Sequence, residues 1–255
     1  MIISYKNQIE NYTLTANAFS LTYPAANMQI HRLEKYWKGT NSDAVQDIII
    51  DCGTAVTPGL IAILGHNFDT FASAPTIQFL GNTTNDFTTP AFSYTFLSLA
   101  DIMYFAYTGA AYQYFCIRIT GCTATDIPII GYLWMDEDSF LFGSGLKVSE
   151  IHPVEYKNNS IFELGESGGL FSYRGNAVLR SYRILFDMLD ASNFAYYKTM
   201  RDYVMKSEPL IIIWDESAEF PGVENIFCHF TTNLKIPVLY GFEGFQIDDE
   251  IEEIK

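Results

Sequence analysis

Positive charge is scarce in this sequence. Fifteen Lys and Arg stand against thirty Asp and Glu among 255 residues, a formal net charge of −15. Such a chain repels phosphate backbones and anionic lipid surfaces, so neither nucleic acid nor an anionic membrane is an expected partner. Long apolar runs are missing too. None approaches the roughly 18 residues that cross a bilayer, because Gly, Asp or Asn interrupts the longest candidates, and no membrane insertion is expected. Met1 to Asn7 shows no basic stretch followed by a long apolar core, so no secretory signal is expected. Cysteine is limited to Cys52, Cys116, Cys122 and Cys228, with no CxxC and no Cys/His ligand spacing. On one straight strand, Cys116 and Cys122 would lie about 20 Å apart, against the roughly 7 Å that a disulfide tolerates. All four are expected to be reduced thiols, as in a protein folded in a reducing cytoplasm. A Walker loop is absent as well, and His31, His66, His152 and His229 have no ligand-like spacing.

Aromatic residues are abundant, with 20 Phe and 17 Tyr. Aromatic and β-branched side chains suit half-buried pleated surfaces, so composition points to β structure. The stretch from Asp47 to Phe87 carries the clearest pattern. A hydrophobic strand ends in Asp51-Cys52-Gly53, a second apolar run covers Leu60–Leu64, and a third begins at Thr76 and leads into a polar loop, Gly81 to Asp86. Short strands are also expected near Ile2–Tyr5, Tyr12–Thr15 and Ala91–Leu97. Over Tyr114–Thr120, Phe115, Ile117 and Ile119 share one face, with Cys116, Arg118 and Thr120 on the other. Many short strands with turns between them read as a sandwich or jelly roll. Composition changes near Asp136–Gly145, which places a first domain at residues 1–140 and a second at 145–255. In the second, Phe194, Tyr197, Met200, Arg201 and Val204 recur at helical spacing, predicting one helix over about 192–206, ended by Pro209. The remaining segments predict an antiparallel β-sandwich around it. The acidic end, Asp248 to Glu253, reads as a solvated tail.

The segments Ile48-Ile49-Ile50-Asp51-Cys52-Gly53, Ile61-Ala62-Ile63-Leu64-Gly65-His66-Asn67-Phe68 and Ala74-Pro75-Thr76-Ile77-Gln78 resemble discoidin-like jelly-roll domains of tailed-bacteriophage structural proteins. Tyr114-Phe115-Cys116-Ile117-Arg118-Ile119 and Ile129-Ile130-Gly131-Tyr132-Leu133-Trp134 resemble later strands of the same domains. Arg180-Ser181-Tyr182-Arg183, followed by a helix and then a strand with Pro209 and Trp214, resembles a phage tail or baseplate module. The resemblance implies a non-enzymatic virion protein of tail, baseplate or neck. Its expected partners are other virion proteins and further copies of itself in a homo-oligomer. The alternative is a module that recognises a host surface glycan through jelly-roll loops.

Candidate ligand contacts follow from residue type. Tyr36 and Trp37, beside the loop from Lys38 to Asp43, set aromatics next to polar groups, a mixture that suits sugars and protein partners; the alternative is a Trp folded back onto the core. Asn82, Asn85 and Asp86 offer oxygen atoms of the kind Ca²⁺ takes, about six to eight at a time, but their spacing fits no EF-hand loop. No other cofactor is expected. Asp51 with Gly53, and His66 with Asn67, read as turn-closing groups. Tyr104, Tyr107, Tyr112 and Tyr114 read as an aromatic cluster suited to an assembly surface. Asp215, Glu216 and Glu219 are the densest carboxylates after a strand, yet nothing nearby fixes the separation that glycoside hydrolysis needs. Gly165 to Gly169 has the letters of a nucleophile elbow, but a strand follows where that motif needs a helix. No catalytic residue is expected.

Overall fold

The computed structural model describes residues 2–40, 45–97, 100–123, 125–137, 139–141, 148–158, 161–164, 170–173, 178–189, 191–204, 208–213, 225–231 and 245–254. The chain divides into two compact units, one of Lys6–Ser139 and one of Met1–Tyr5 with Phe140–Lys255. Both are built mainly from antiparallel strands. The first strand, β1 (Ile2–Ser4), pairs with a strand of the C-terminal unit, Ile2 facing Ile213. A first domain starting at residue 1 therefore needs correction, because three apolar-rich residues at the N-terminus complete a distant sheet.

The N-terminal unit holds β2 (Thr13–Ala16), β3 (Trp37–Lys38), β4 (Val45–Val56), β5 (Leu60–Leu64), β6 (Thr76–Asn82), β7 (Phe92–Thr95), β8 (Ile102–Ala106), β9 (Tyr112–Thr120), β10 (Ile129–Ile130) and β11 (Tyr132–Met135). Five strands form one sheet in the order β2-β4-β9-β6-β7, and three form another in the order β11-β5-β8. Alternation builds the interior. Ile48, Ile117 and Phe79 form one cross-strand row, and Gln46, Ile119 and Ile77 the next. All six are buried. Each apolar member contributes roughly 1.5–3 kcal/mol by leaving water. The central strand β5 is buried at every position, which explains its unbroken apolar sequence. The outer face of the larger sheet has a smaller core, where Phe87 folds over Leu80 and Cys116 with Ile49 and Tyr114 beside them. Arg118 borders it, held bidentately by Asp47 at 2.8 Å and donating to the Phe87 carbonyl at 3.1 Å.

Polar side chains fasten the ends of this sandwich. Asn7 accepts hydrogen bonds from the amides of Ile9 and Met135 and donates to Tyr132 Oη and the Leu133 carbonyl. Buried Asp136 accepts from the Leu60 amide at 2.7 Å, fixing the entry into β5.

The C-terminal unit contains β12 (Ser139–Leu141), β13 (Val148–Asn158), β14 (Ile161–Leu164), β15 (Leu170–Tyr173), β16 (Val178–Leu189), α1 (Ala191–Val204), β17 (Leu210–Ile213), β18 (Ile226–Phe230) and β19 (Phe245–Glu253). Seven strands form one sheet, β12-β1-β17-β18-β19-β16-β13, and β14 pairs with β15 as a hairpin. The helix buries Tyr197, Met200, Arg201 and Val204, the i, i+3, i+4, i+7 stripe that its spacing predicts. Arg201 packs its guanidinium 3.8 Å from the Phe230 ring and reaches Asp249 at 3.2 Å. Asp249 also accepts a hydrogen bond from Tyr197 Oη. The acidic C-terminal stretch is thus no solvated tail. It is strand β19, with Asp249 and Ile251 buried and Glu250 exposed by the two-residue period.

Candidate functional site

At one end of the N-terminal sandwich, an aromatic platform forms from two segments far apart in sequence. The segment after β2 turns at Ser20, whose carbonyl accepts from the Tyr23 amide at 2.9 Å. It then runs beside β3. The Ser20 amide donates to the Lys38 carbonyl at 2.9 Å, and the Lys38 amide donates to the Tyr23 carbonyl at 3.3 Å. Strand alternation around β3 turns Trp37 inward and Tyr36 and Lys38 outward. Tyr36 stacks on Tyr23 with ring centroids 4.7 Å apart and 11° between planes. The Lys38 ammonium lies 6.0 Å from the Tyr23 centroid, within reach of a cation–π contact. A hydrogen bond with the Tyr23 phenol holds the Tyr36 hydroxyl above its ordinary pKa. Phe19 and Leu21 belong to the same turn and are 41% and 90% exposed.

The platform rests on fixed supports. Asn27 donates its side-chain amide to the Tyr36 carbonyl at 2.9 Å. β3 pairs with β10, Trp37 opposite Ile130. Beyond Lys38, Gly39 passes so close to Gln46 that a Cβ would stand 1.9 Å from Gln46 Oε1. Buried Gln46 donates to the Thr40 carbonyl at 2.8 Å. Of the two aromatics predicted as contacts, Tyr36 lies on the platform. Trp37 does not. It is fully buried beneath the surface, and its place in the ligand set is corrected to the core. Phe19, Leu21 and Tyr23 escaped sequence reasoning, since single apolar residues in a loop look like ordinary anchors.

The polar candidates lie at the other end of the sandwich. Asp51, Tyr114 and Asn82 mark one end of the larger sheet, and Val45, Thr120 and Thr76 the other. The platform joins the second end through the Asn17 amide, which donates to the Asp47 carbonyl. The first end carries Asn82, Asn85 and Asp86, so the two groups of predicted contacts are not brought together. Asn82 donates to the Asp86 carbonyl at 2.6 Å and accepts from the Thr83 amide at 2.8 Å. Asp86 Oδ1 accepts from the Thr88 amide at 2.9 Å and from the Thr88 hydroxyl. These bonds hold the Asp86 carboxyl below its usual pKa. Asn85 is exposed in the same loop. The loop closes on itself by Asx-type bonds, and a calcium ion would have to compete with the Thr83 and Thr88 donors. Among the described residues no three His, Cys, Asp or Glu side chains gather as metal ligands.

The other motifs are structural in their geometry. Asp51 accepts from the Gly53 amide at 2.8 Å, and Gly53 has φ +73°, the left-handed turn conformation that favours glycine. Asn67 donates to the Ile127 carbonyl and accepts from the Ile129 amide at 3.0 and 2.9 Å. His66 stacks on Phe68 and bonds the Ala100 carbonyl through Nε2 at 2.8 Å. Burial lowers its pKa, as does any site that favours neutral imidazole. The four cysteines are free. Burial pushes the Cys52 thiol up to about 12 and raises those of Cys116, Cys122 and Cys228, which withholds the thiolate needed for nucleophilic attack. The Asp215–Glu219 carboxylates and the Gly165–Gly169 turn lie outside the described residues.

Of the four tyrosines expected at an assembly surface, Tyr107 turns into the sandwich and Tyr104, Tyr112 and Tyr114 are half-buried. Tyr94 of β7 stacks on Phe105 of β8, and Phe92 meets Phe105 and Tyr107. Tyr107 is buried and donates to the Ala110 carbonyl at 2.6 Å. Phe79 stacks on Phe115 at 5.2 Å. These rings close the side between the two sheets by packing on each other.

The N-terminal unit is a β-sandwich of a five-stranded and a three-stranded antiparallel sheet, with the platform at one end. No protein-family model matches the chain, and no curated protein does. Similar solved structures include the family 32 CBM from C. perfringens NanJ in complex with galactose, at 18% identity and TM-score 0.41, covering 52% of this chain and 98% of that one. A mutant of the lectin binding domain of Lectinolysin complexed with Lewis b matches at 10% identity and TM-score 0.44, over 53% and 99% of the two chains. CBM32 of AlyQ in complex with 4,5-unsaturated mannuronic acid matches at 15% and 0.41, over 53% and 98%. These are likenesses of backbone path over about half of this chain.

Proposed function

We propose that the N-terminal unit is a non-enzymatic module that binds a carbohydrate on the Tyr23–Tyr36 platform. The observation that carries this reading is where the aromatics go. Tyr23 and Tyr36 stack at one loop end with their rings half-exposed and the Lys38 ammonium beside them, and Phe19 and Leu21 of the adjoining turn are exposed. Sugar rings present apolar C–H faces edged with hydroxyls. A partly exposed phenol ring supplies the complementary apolar plane with a polar tip. The hydrogen-bonded frame around β3 holds that plane before a ligand arrives, which reduces the ordering cost of binding.

The test is a panel of soluble oligosaccharides titrated calorimetrically into the full chain and into Tyr36→Ala. The tightest sugar is expected to lose roughly thirtyfold in affinity, the size of an interfacial hot spot. Thermal stability should hardly move, because Tyr36 is not in the core. A Tyr36→Ala protein that binds every sugar as the parent does removes the platform from the account.

A second reading has its own support. Leu21 and Leu97 are 90% and 92% exposed, and apolar loop tips suit contacts with other protein subunits. The motif resemblance would put such contacts in a phage tail or baseplate, among virion proteins and further copies of the chain. Under that reading light scattering gives a discrete multimer that Leu21→Asp dissociates.

A further inference from the structure

We propose that the carbohydrate taken at the Tyr23–Tyr36 platform is an anionic one, a sugar bearing carboxylate or sulfate groups; the inference rests on the carbohydrate reading above. Cations in this unit are few and unevenly placed. Between positions 6 and 139 the basic residues are Lys6, Arg32, Lys35, Lys38 and Arg118. Three of these five fall within the seven residues from Arg32 to Lys38, the segment that delivers Tyr36. The one acid within that run is Glu34.

Their condition sets them apart from Arg118. That guanidinium is held at 2.8 Å by both oxygens of Asp47 and serves the sheet. Arg32 and Lys35 are exposed. Among the described residues, Arg32, Lys35 and Lys38 make no ion pair. The nearby acid Glu10 faces His31 at 3.9 Å. Lys38 projects from the same strand face as Tyr36, and its backbone is fixed by Ser20 and Tyr23 on one side and by its β10 partner Ile129 on the other. The chain's net charge of −15 opposes an acidic polymer overall. Local cations beside the stacking plane are the feature that would draw one to this end and set its orientation. A neutral sugar needs the plane alone and gives no use for Lys38 beside it or for two further exposed cations on the segment that leads into it.

The test uses the full chain and three oligosaccharides of equal length: a galacturonate, a sulfated galactan and a neutral galactan. Affinities are measured at low and high salt for the parent, for Lys38→Gln and for Arg32→Gln/Lys35→Gln. The expected result is binding of an acidic sugar at least tenfold tighter than the neutral one. Lys38→Gln should weaken it about fivefold, the upper range for an exposed charge pair. Binding should fade toward about 1 M salt, where screening acts within roughly 3 Å. Preference for galacturonate or for sulfate identifies the anionic group. Equal binding of neutral and acidic sugars, unchanged in Lys38→Gln, overturns the charge inference and leaves the carbohydrate reading standing. Binding of none of the three, together with no binding across the wider panel, overturns both.

Discussion

Arg201→Ala should destabilise the C-terminal unit by about 3–5 kcal/mol, the cost of leaving a buried carboxylate without its partner. The guanidinium is 2% exposed and the Asp249 side chain 0% exposed. The substitution removes the ion pair and the packing on Phe230 together. Chemical denaturation followed by circular dichroism measures the loss directly. The combined change of Arg201→Met, Asp249→Leu and Tyr197→Phe should cost far less, because apolar groups of similar volume need no charge compensation. Equal losses in the two variants would mean that volume, not charge, governs this site. A pH arm follows from Tyr197, whose pKa is raised, first by burial and then by the Asp249 charge. With the folded value above the unfolded one, the unfolded chain binds fewer protons above pH 10. Stability there should fall as pH rises.

The second large effect concerns Trp37. Trp37→Ala is expected to cost about 3–5 kcal/mol, as for other large-to-small changes in a packed core. Trp37→Phe should cost much less. Among the described residues the buried indole Nε1 has no hydrogen-bond partner, and an unmet buried donor is itself unfavourable. Phenylalanine removes that donor and keeps most of the ring. Calorimetric melting of the two variants distinguishes them. If Trp37→Phe lost sugar affinity while melting as the parent does, Trp37 would be a ligand contact after all, contrary to its burial.

Much of the sandwich was legible because its strands obey simple periods. Leu60–Leu64 stands as an unbroken apolar run since β5 is covered on both faces, and Phe115, Ile117 and Ile119 point inward as their alternation predicts. The helix stripe from Tyr197 to Val204 followed from its spacing in the same way. β8 was not legible. In Ile102–Ala106 every residue is apolar or aromatic, so the buried Met103 has no polar contrast beside it, and Tyr104 and Tyr107 read as surface phenols. β19 misled for a different reason. Its carboxylates read as a tail because the partner of Asp249 stands 48 residues away on a helix. β3 is two residues long, too short to reveal a period, and so the sequence leaves Trp37 open between a ligand contact and a ring folded onto the core. Asn82 and Asp86 offered oxygens by composition, and only the hydrogen bonds to Thr83 and Thr88 show that those oxygens close the loop. The platform combines residues 19–23 with 36–38, and no local pattern announces that two loops meet.

The carbohydrate reading makes a geometric demand that assembly does not, namely that a small sugar touch one end of the sandwich and leave the other alone. Backbone amide chemical-shift mapping of the full chain, titrated with its tightest sugar, measures that demand directly. Saturable shifts are expected at Ser20–Tyr23 and Tyr36–Lys38, with Asn82–Thr88 unmoved. Shifts centred on Asn82–Thr88 instead, or none with any sugar, would contradict it.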